Sequence, residues 1–128
     1  MAKQSDVYSD EMSCAKDSSI IPILEEALKD STEQKIIFLH LIGNHFDYRE
    51  RYEKSLAQFD TNEGICSQFA DELTPKEIET INAYDNGTLY NDYIIRTCIE
   101  MVRKQDGMSA MLYFSDHGEE VYDCLKNA

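Results

Sequence analysis

Basic residues are scarce. Twelve Lys and Arg face 25 Asp and Glu, a net charge of −13 with His neutral. A chain so short of positive charge has no basic face for a nucleic-acid backbone and no polybasic grip on an anionic lipid surface. A phosphate-bearing substrate is still allowed, because a bound divalent cation inverts the local field. Long apolar runs are missing too. The longest, Ile36–Leu41, is interrupted by His40, far short of the ~20 residues of a membrane-spanning helix. Residues 1–17 lack the basic start and apolar stretch of a secretory signal, so the chain as written is expected in the cytoplasm. Cys14, Cys66, Cys98 and Cys124 are scattered, with no Cys-x-x-Cys pair. That spacing argues against a thiolate zinc site, and no structural disulfide is expected within the chain. There is no Gly-rich phosphate loop, Gly-x-Ser-x-Gly elbow or zinc-protease helix motif, and no Ser or Thr on a recognisable activating turn.

What is present suffices for one modest core. The chain has 128 residues, 42% of them hydrophobic, enough for one domain at most. Residues 1–17 read as a loose polar leader. Ile20, Ile21, Ile23, Leu24, Ala27 and Leu28 form a helical stripe over Asp17–Asp30, with Ser18 or Ser19 as cap and Pro22 in the first turn. Lys35–Ile42 reads as a buried strand ending at Gly43, followed by a polar, aromatic loop to Asp60. A short helical turn is expected within Cys66–Leu73. Thr74-Pro75-Lys76-Glu77 is a strong helix start, with a capping box and Pro at the first position. The helical pattern runs through Ile78, Ile81 and Tyr84, weakens at Asn86-Gly87, and resumes from Tyr90 to Val102. Ser109–Phe114 reads as a second buried strand. This order predicts an α/β fold with a parallel strand pair, part of a doubly wound sheet. In such sheets chemistry collects beyond the carboxyl ends of the strands, where Gly43–Tyr48 and Ser115–Glu120 both fall.

Asp116 and His117 offer adjacent oxygen and nitrogen ligands, which suit zinc or manganese. The same pair also fits a capped turn, with Asp116 as helix cap and His117 exposed. Two ligands do not complete a site, since a metal needs at least three protein groups. His45, behind Asn44, could meet a phosphoryl oxygen or a second metal, or be an ordinary loop histidine beside Phe46 and Tyr48. His40 reads as a core or rim histidine. Arg49 and Arg51 could pair with a phosphate, or with Asp47, Glu50 and Glu53 as surface ion pairs. Asp85, Asn86 and Asp92 lie on one helix face, either supporting a site from beneath or simply solvated.

Three segments together carry a specific likeness: Phe38-Leu39-His40-Leu41-Ile42-Gly43-Asn44-His45-Phe46-Asp47-Tyr48-Arg49-Glu50-Arg51-Tyr52, Ala83-Tyr84-Asp85-Asn86 through Leu89-Tyr90-Asn91-Asp92, and Leu112-Tyr113-Phe114-Ser115-Asp116-His117-Gly118-Glu119-Glu120-Val121-Tyr122-Asp123. Their order and spacing resemble the catalytic domain of the phosphoethanolamine transferases of Gram-negative bacteria, within the sulfatase and alkaline-phosphatase superfamily. The versions here are most similar to the branch acting on the lipopolysaccharide core. The resemblance implies a partial sulfatase-like catalytic domain over residues 18–128. It implies zinc held by Asp116 and His117 together with an upstream Glu and Thr. That Thr would take phosphoethanolamine from phosphatidylethanolamine and pass it to lipopolysaccharide. It also implies His45 and Asn44 at the substrate, with Asp85, Asn86, Asp92 and Glu119 in support, in a family placed at the inner membrane with a periplasmic catalytic domain. The family's nucleophile and Glu ligand lie upstream of the first matched segment, and its domain continues past Ser-Asp-His-Gly-Glu. The chain is therefore expected to be an internal fragment with weak metal affinity and no turnover alone, associating with itself or with the missing part of its domain. The alternatives are a catalytically inert acidic α/β binding module and a fragment of a sulfatase-type hydrolase.

Overall fold

The computed structural model describes residues 16–61 and 70–122. Two helices organise it. Helix α1 spans Ile20–Lys29 and follows a 3-10 turn at Asp17–Ser19. Ile20 and Leu24, four residues apart, are its buried positions. Ser19 is the N-cap but makes no side-chain cap bond. At the other end Lys35 Nζ donates to the Leu28 carbonyl at 2.8 Å, satisfying one of the carbonyls left over where a helix stops.

Helix α2 is continuous from Pro75 to Arg103, about 43 Å at 1.5 Å per residue. Its capping box is formed: Glu77 N–H donates to Thr74 Oγ1 at 3.4 Å, and Thr74 N–H donates to Glu77 Oε2 at 2.6 Å. Asn86-Gly87 does not interrupt it, and its buried line runs Asn82, Asn86, Tyr90, Ile94, Cys98. The apolar end of this line packs on Ile20 and Leu24 of α1, with Leu39, Leu41 and Tyr52 closing the sides. A second cluster gathers Tyr48, Ile81, Ala83 and Val121. Cys98 is a free thiol in the first cluster, its pKa pushed up by burial. Cys14, Cys66 and Cys124 lie outside the described residues, as do most of the leader and of the turn expected in Cys66–Leu73, of which Ala70–Glu72 forms a 3-10 turn.

The expected parallel sheet is not there. Among the described residues there is no strand and no ladder, so the α/β, doubly wound reading is corrected to a helical one. The reason is physical. A continuous apolar run reports that a segment is suited to burial, whereas a strand exists only when a neighbour takes up its N–H and C=O groups. In 35–42, Leu39 and Leu41 pack against the helices, while Ile36 and Phe38 are 85% and 91% exposed. In 109–114, Leu112 and Phe114 are 83% and 75% exposed. Each segment has apolar side chains turned to solvent and no strand partner among the described residues.

Two outcomes are expected. Thr74→Ala removes the cap of α2 and lowers stability by about 1 kcal/mol, measurable by urea denaturation. The exposed Phe38 and Leu112 are expected to drive concentration-dependent association, with Phe38→Lys and Leu112→Lys together shifting sedimentation equilibrium toward monomer. An unchanged distribution would remove these segments as its cause.

Candidate functional site

The first half of the site is the turn at Gly43–Phe46. Gly43 has φ +59°, a conformation glycine adopts without the Cβ penalty, and His45 N–H donates to the Ile42 carbonyl at 3.4 Å. Three groups hold the turn. The buried Asp17 carboxylate accepts from Ile42 N–H at 2.9 Å through one oxygen and from Gly43 N–H at 2.8 Å through the other. On the opposite flank Arg51 Nε donates to the His45 carbonyl at 2.8 Å, and its Nη2 to the Phe46 carbonyl at 3.3 Å. From below, Asn44 Nδ2 donates to the Tyr84 carbonyl at 2.9 Å and to Thr88 Oγ1 at 2.7 Å, both on α2.

Gly87 explains why α2 tolerates a glycine in its middle. A Cβ at position 87 would fall 1.9 Å from Asn44 Oδ1 and 3.0 Å from its Cγ. Asn44 Oδ1 is buried and, among the described residues, meets no N–H or O–H donor; it occupies the space that a Cβ at position 87 would take. Exchanging the amide's oxygen and nitrogen would set oxygen against the Tyr84 carbonyl, so the two Nδ2 bonds fix its orientation.

His45 is exposed, with Nδ1 2.8 Å from the Phe46 carbonyl. A carbonyl only accepts, so this contact places a proton on Nδ1 and leaves Nε2 directed elsewhere. His117 repeats the arrangement, with Nδ1 3.0 Å from the Gly118 carbonyl. That bond, and then the Asp116 carboxylate, raise its pKa above the usual histidine value. Asp116 Oδ1 accepts from His117 N–H at 3.1 Å, and Ser115 Oγ donates to the His117 carbonyl at 2.6 Å. Both side chains face solvent.

Tyr48 and Val121 join the two halves. Tyr48 follows the His45 turn, in a 3-10 turn whose N-cap, Asp47, accepts from Arg49 N–H at 3.2 Å. Tyr48 packs with Val121, just past Asp116-His117, and stands edge-on to Tyr84 of α2 with centroids 5.3 Å apart. Burial first, and then the Glu119 carboxylate, push its phenol pKa up. A cavity of about 270 Å³ beside this cluster is lined by Phe46, Tyr48, Thr80, Glu119, Glu120, Val121 and Tyr122, and not by His45, Asp116 or His117.

The other residues singled out in the sequence are distributed differently. Asn86 is buried but turned to another segment: its Oδ1 accepts from Gln58 and Phe59 N–H at 2.7 and 3.1 Å, and its Nδ2 donates to the Phe59 carbonyl at 2.8 Å. Asn82 extends that anchorage to the Thr61 carbonyl at 3.0 Å. Asp85 is half-buried and Asp92 exposed on α2. Arg51 spends its guanidinium on the turn, and Arg49 lies 3.6 Å from Asp47. Among the described residues no group of three or more His, Cys, Asp or Glu could hold a metal ion. The carboxylate–imidazole pair at 116–117 suits zinc in chemistry but falls short in number. Sequence reasoning missed Asp17, Gly87 and Tyr48. The one signal for any of them was a glycine inside a strong helical pattern.

Comparison with known proteins supplies the wider setting. A model of the sulfatase family matches residues 2–128. The phosphoethanolamine transferase EptC of Escherichia coli O18:K1:H7 is 38% identical over 107 residues, and CptA of Salmonella typhimurium is 39% identical over 107. Each alignment covers 84% of this chain and 18% of the relative, so the chain spans less than a fifth of their length. The crystal structure of the C-terminal periplasmic domain of Escherichia coli EptC, in complex with Zn, is similar with a TM-score of 0.63 and 30% identity, covering 73% of this chain and 26% of that one. The likeness thus takes in about a quarter of that chain. A family model matched along nearly the whole chain, with transferases of one kind among its relatives, leads to one assignment: the chain belongs to the sulfatase family.

Proposed function

We propose that this chain is part of a zinc-dependent phosphoethanolamine transferase. In this reading His45 meets the phosphoryl group and Asp116 and His117 are two of the metal's ligands. The observation that supports the reading is that Tyr48, three residues past His45, and Val121, four residues past His117, share one buried cluster. Each histidine has its Nδ1 at a carbonyl, so each offers Nε2 outward. A backbone carbonyl on the second nitrogen is the usual way a ligand histidine is fixed in tautomer and direction.

The roles follow from the chemistry of these groups. With Nδ1 on the Phe46 carbonyl, His45 would donate from Nε2 to a phosphoryl oxygen only as the imidazolium, with a proton on each ring nitrogen, and would then take up part of its charge. Asn44, the other residue expected at the substrate, has its side chain on α2 and serves to hold the turn. Asp116 and His117 would hold one side of the ion, its other places being filled by groups outside the described residues. When bound, zinc lowers the pKa of a hydroxyl nucleophile and polarises the phosphoryl oxygens. The nucleophile is not among the candidates in this chain. Phosphatidylethanolamine as donor and lipopolysaccharide as acceptor, at the periplasmic face of a membrane, extend the reading by family; no helix among the described residues is long and apolar enough to cross a membrane. The relatives named above are transferases, which favours transfer over sulfate hydrolysis. The absence of a third ligand among the described residues favours the other alternative, an inert binding module.

Zinc titration followed by calorimetry decides between these. Wild type is expected to bind weakly, and Asp116→Ala with His117→Ala to lose roughly tenfold or more, the least that even loss of a ligand's supporting shell costs. Equal affinities would end the metal assignment. In the metal-free chain the protonated His117 ring is favoured by the Gly118 carbonyl and the Asp116 carboxylate. Asp116→Asn therefore moves its titration midpoint down, toward the ordinary histidine value, in an NMR titration.

A further inference from the structure

We propose that Asp17 and Gly87 are positioning residues for His45: together they lock the Gly43–Phe46 turn so that the ring keeps Nδ1 on the Phe46 carbonyl and presents Nε2. The inference rests on the reading above, in which that nitrogen meets the phosphoryl group.

Asp17 is the one buried charged side chain among the described residues, 4% exposed. Burying a carboxylate is costly unless its oxygens are partnered, and both are given to the turn, one to Ile42 N–H and one to Gly43 N–H. Two adjacent N–H groups held by one rigid carboxylate fix the orientation of the peptide between them. That peptide leads into the left-handed Gly43 and then into Asn44. Gly87 acts from the other side. Its missing Cβ lets Asn44 lie on the α2 backbone, and the two Nδ2 bonds then hold the residue immediately before His45. Arg51 completes the frame on the Phe46 carbonyl, the same oxygen that His45 Nδ1 uses. The ring direction of an exposed histidine is thus set by a carboxylate before the first helix and a hydrogen atom in the middle of the second.

An Asn at position 17 would offer one acceptor oxygen and turn an NH₂ group toward an N–H. An Ala at position 87 would drive a methyl group into Asn44. Neither change touches the imidazole. The test follows ring-nitrogen NMR of the three histidines in the whole 128-residue chain, with far-UV circular dichroism reporting the helices. Above its titration, where the ring is neutral, wild-type His45 is expected in the Nδ1–H tautomer. Asp17→Asn and Gly87→Ala shift it toward the Nε2–H form, while His117 and the helical signal stay as they were. Asp17→Glu keeps two acceptor oxygens and restores part of the wild-type pattern; should Asp17→Asn lose helical signal, the Asp17→Glu spectrum decides. In an Asn44→Ala background Gly87→Ala has nothing to strike, so its effect on His45 disappears. A His45 pattern unmoved by Asp17→Asn in a folded chain overturns the role of Asp17. An equal Gly87→Ala effect with and without the Asn44 side chain overturns that of Gly87. O-phosphoethanolamine, added with zinc, is expected to perturb the His45 ring of wild type, with roughly tenfold weaker response in Asp17→Asn, as misplacement of a contacting group commonly costs. No perturbation in wild type, with the tautomer still dependent on Asp17 and Gly87, overturns the phosphoryl reading and supports the mount.

Discussion

The seat of Asn44 on the backbone of α2 at Gly87 is the contact on which the arrangement of the site depends. It brings a loop residue from before the long helix into direct register with the helix's middle, and everything after Asn44 inherits its position from that point. His45 follows at once, Arg51 binds the carbonyls of His45 and Phe46, and Tyr48 sinks into the cluster with Ile81, Ala83 and Val121. The helix carries a sequence of anchors. Asn82 and Asn86 take hold of the 58–61 backbone, Gly87 receives Asn44, and Tyr90, Ile94 and Cys98 bury the apolar face of α1. Interior glycine lowers helix stability by about 1 kcal/mol relative to Ala, and here the close approach it permits is what the helix gains.

Buried amides matter as much as buried hydrocarbon in this chain. Asn86 satisfies two N–H groups and one carbonyl of Gln58 and Phe59, doing for an irregular segment what a neighbouring strand would do. Such side chains are tolerated inside because their donors and acceptors are matched. The segments 35–42 and 109–114 have little such matching: Ile42 N–H is taken by Asp17, and no ladder forms among the described residues. They keep the apolar runs of buried strands with no strand to pair with among those residues, and Ile36, Phe38, Leu112 and Phe114 remain in water. Sheet patterning is a statement about partners, and the partners of a strand need not be close in sequence.

The chemistry-bearing residues divide in the same way. Asp116 and His117 were recognisable because they are adjacent and follow an apolar segment, and the Ser-Asp-His-Gly-Glu signature is itself local. His45 was recognisable from its motif. Asp17 was not, because nothing in a Lys-Asp-Ser-Ser stretch distinguishes a buried clamp from a solvated turn. Asn86 was legible as a polar residue on the α2 face, yet the structure turns it to Phe59, away from the His45 turn.

By itself the sequence determined the local features: the capping box at Thr74–Glu77, the position of both helices, the apolar line through Tyr90, Ile94 and Cys98, and the two motifs that carry the histidines. Each depends on groups within one or two helical turns, where spacing alone fixes who meets whom. Only the tertiary structure decided that the extended segments form no sheet, that Asp17 reaches Gly43, and that Asn44 lies on Gly87. Those contacts join residues 26 or more positions apart. Chain closure over such distances is governed by how the whole surface packs, and no short pattern encodes it.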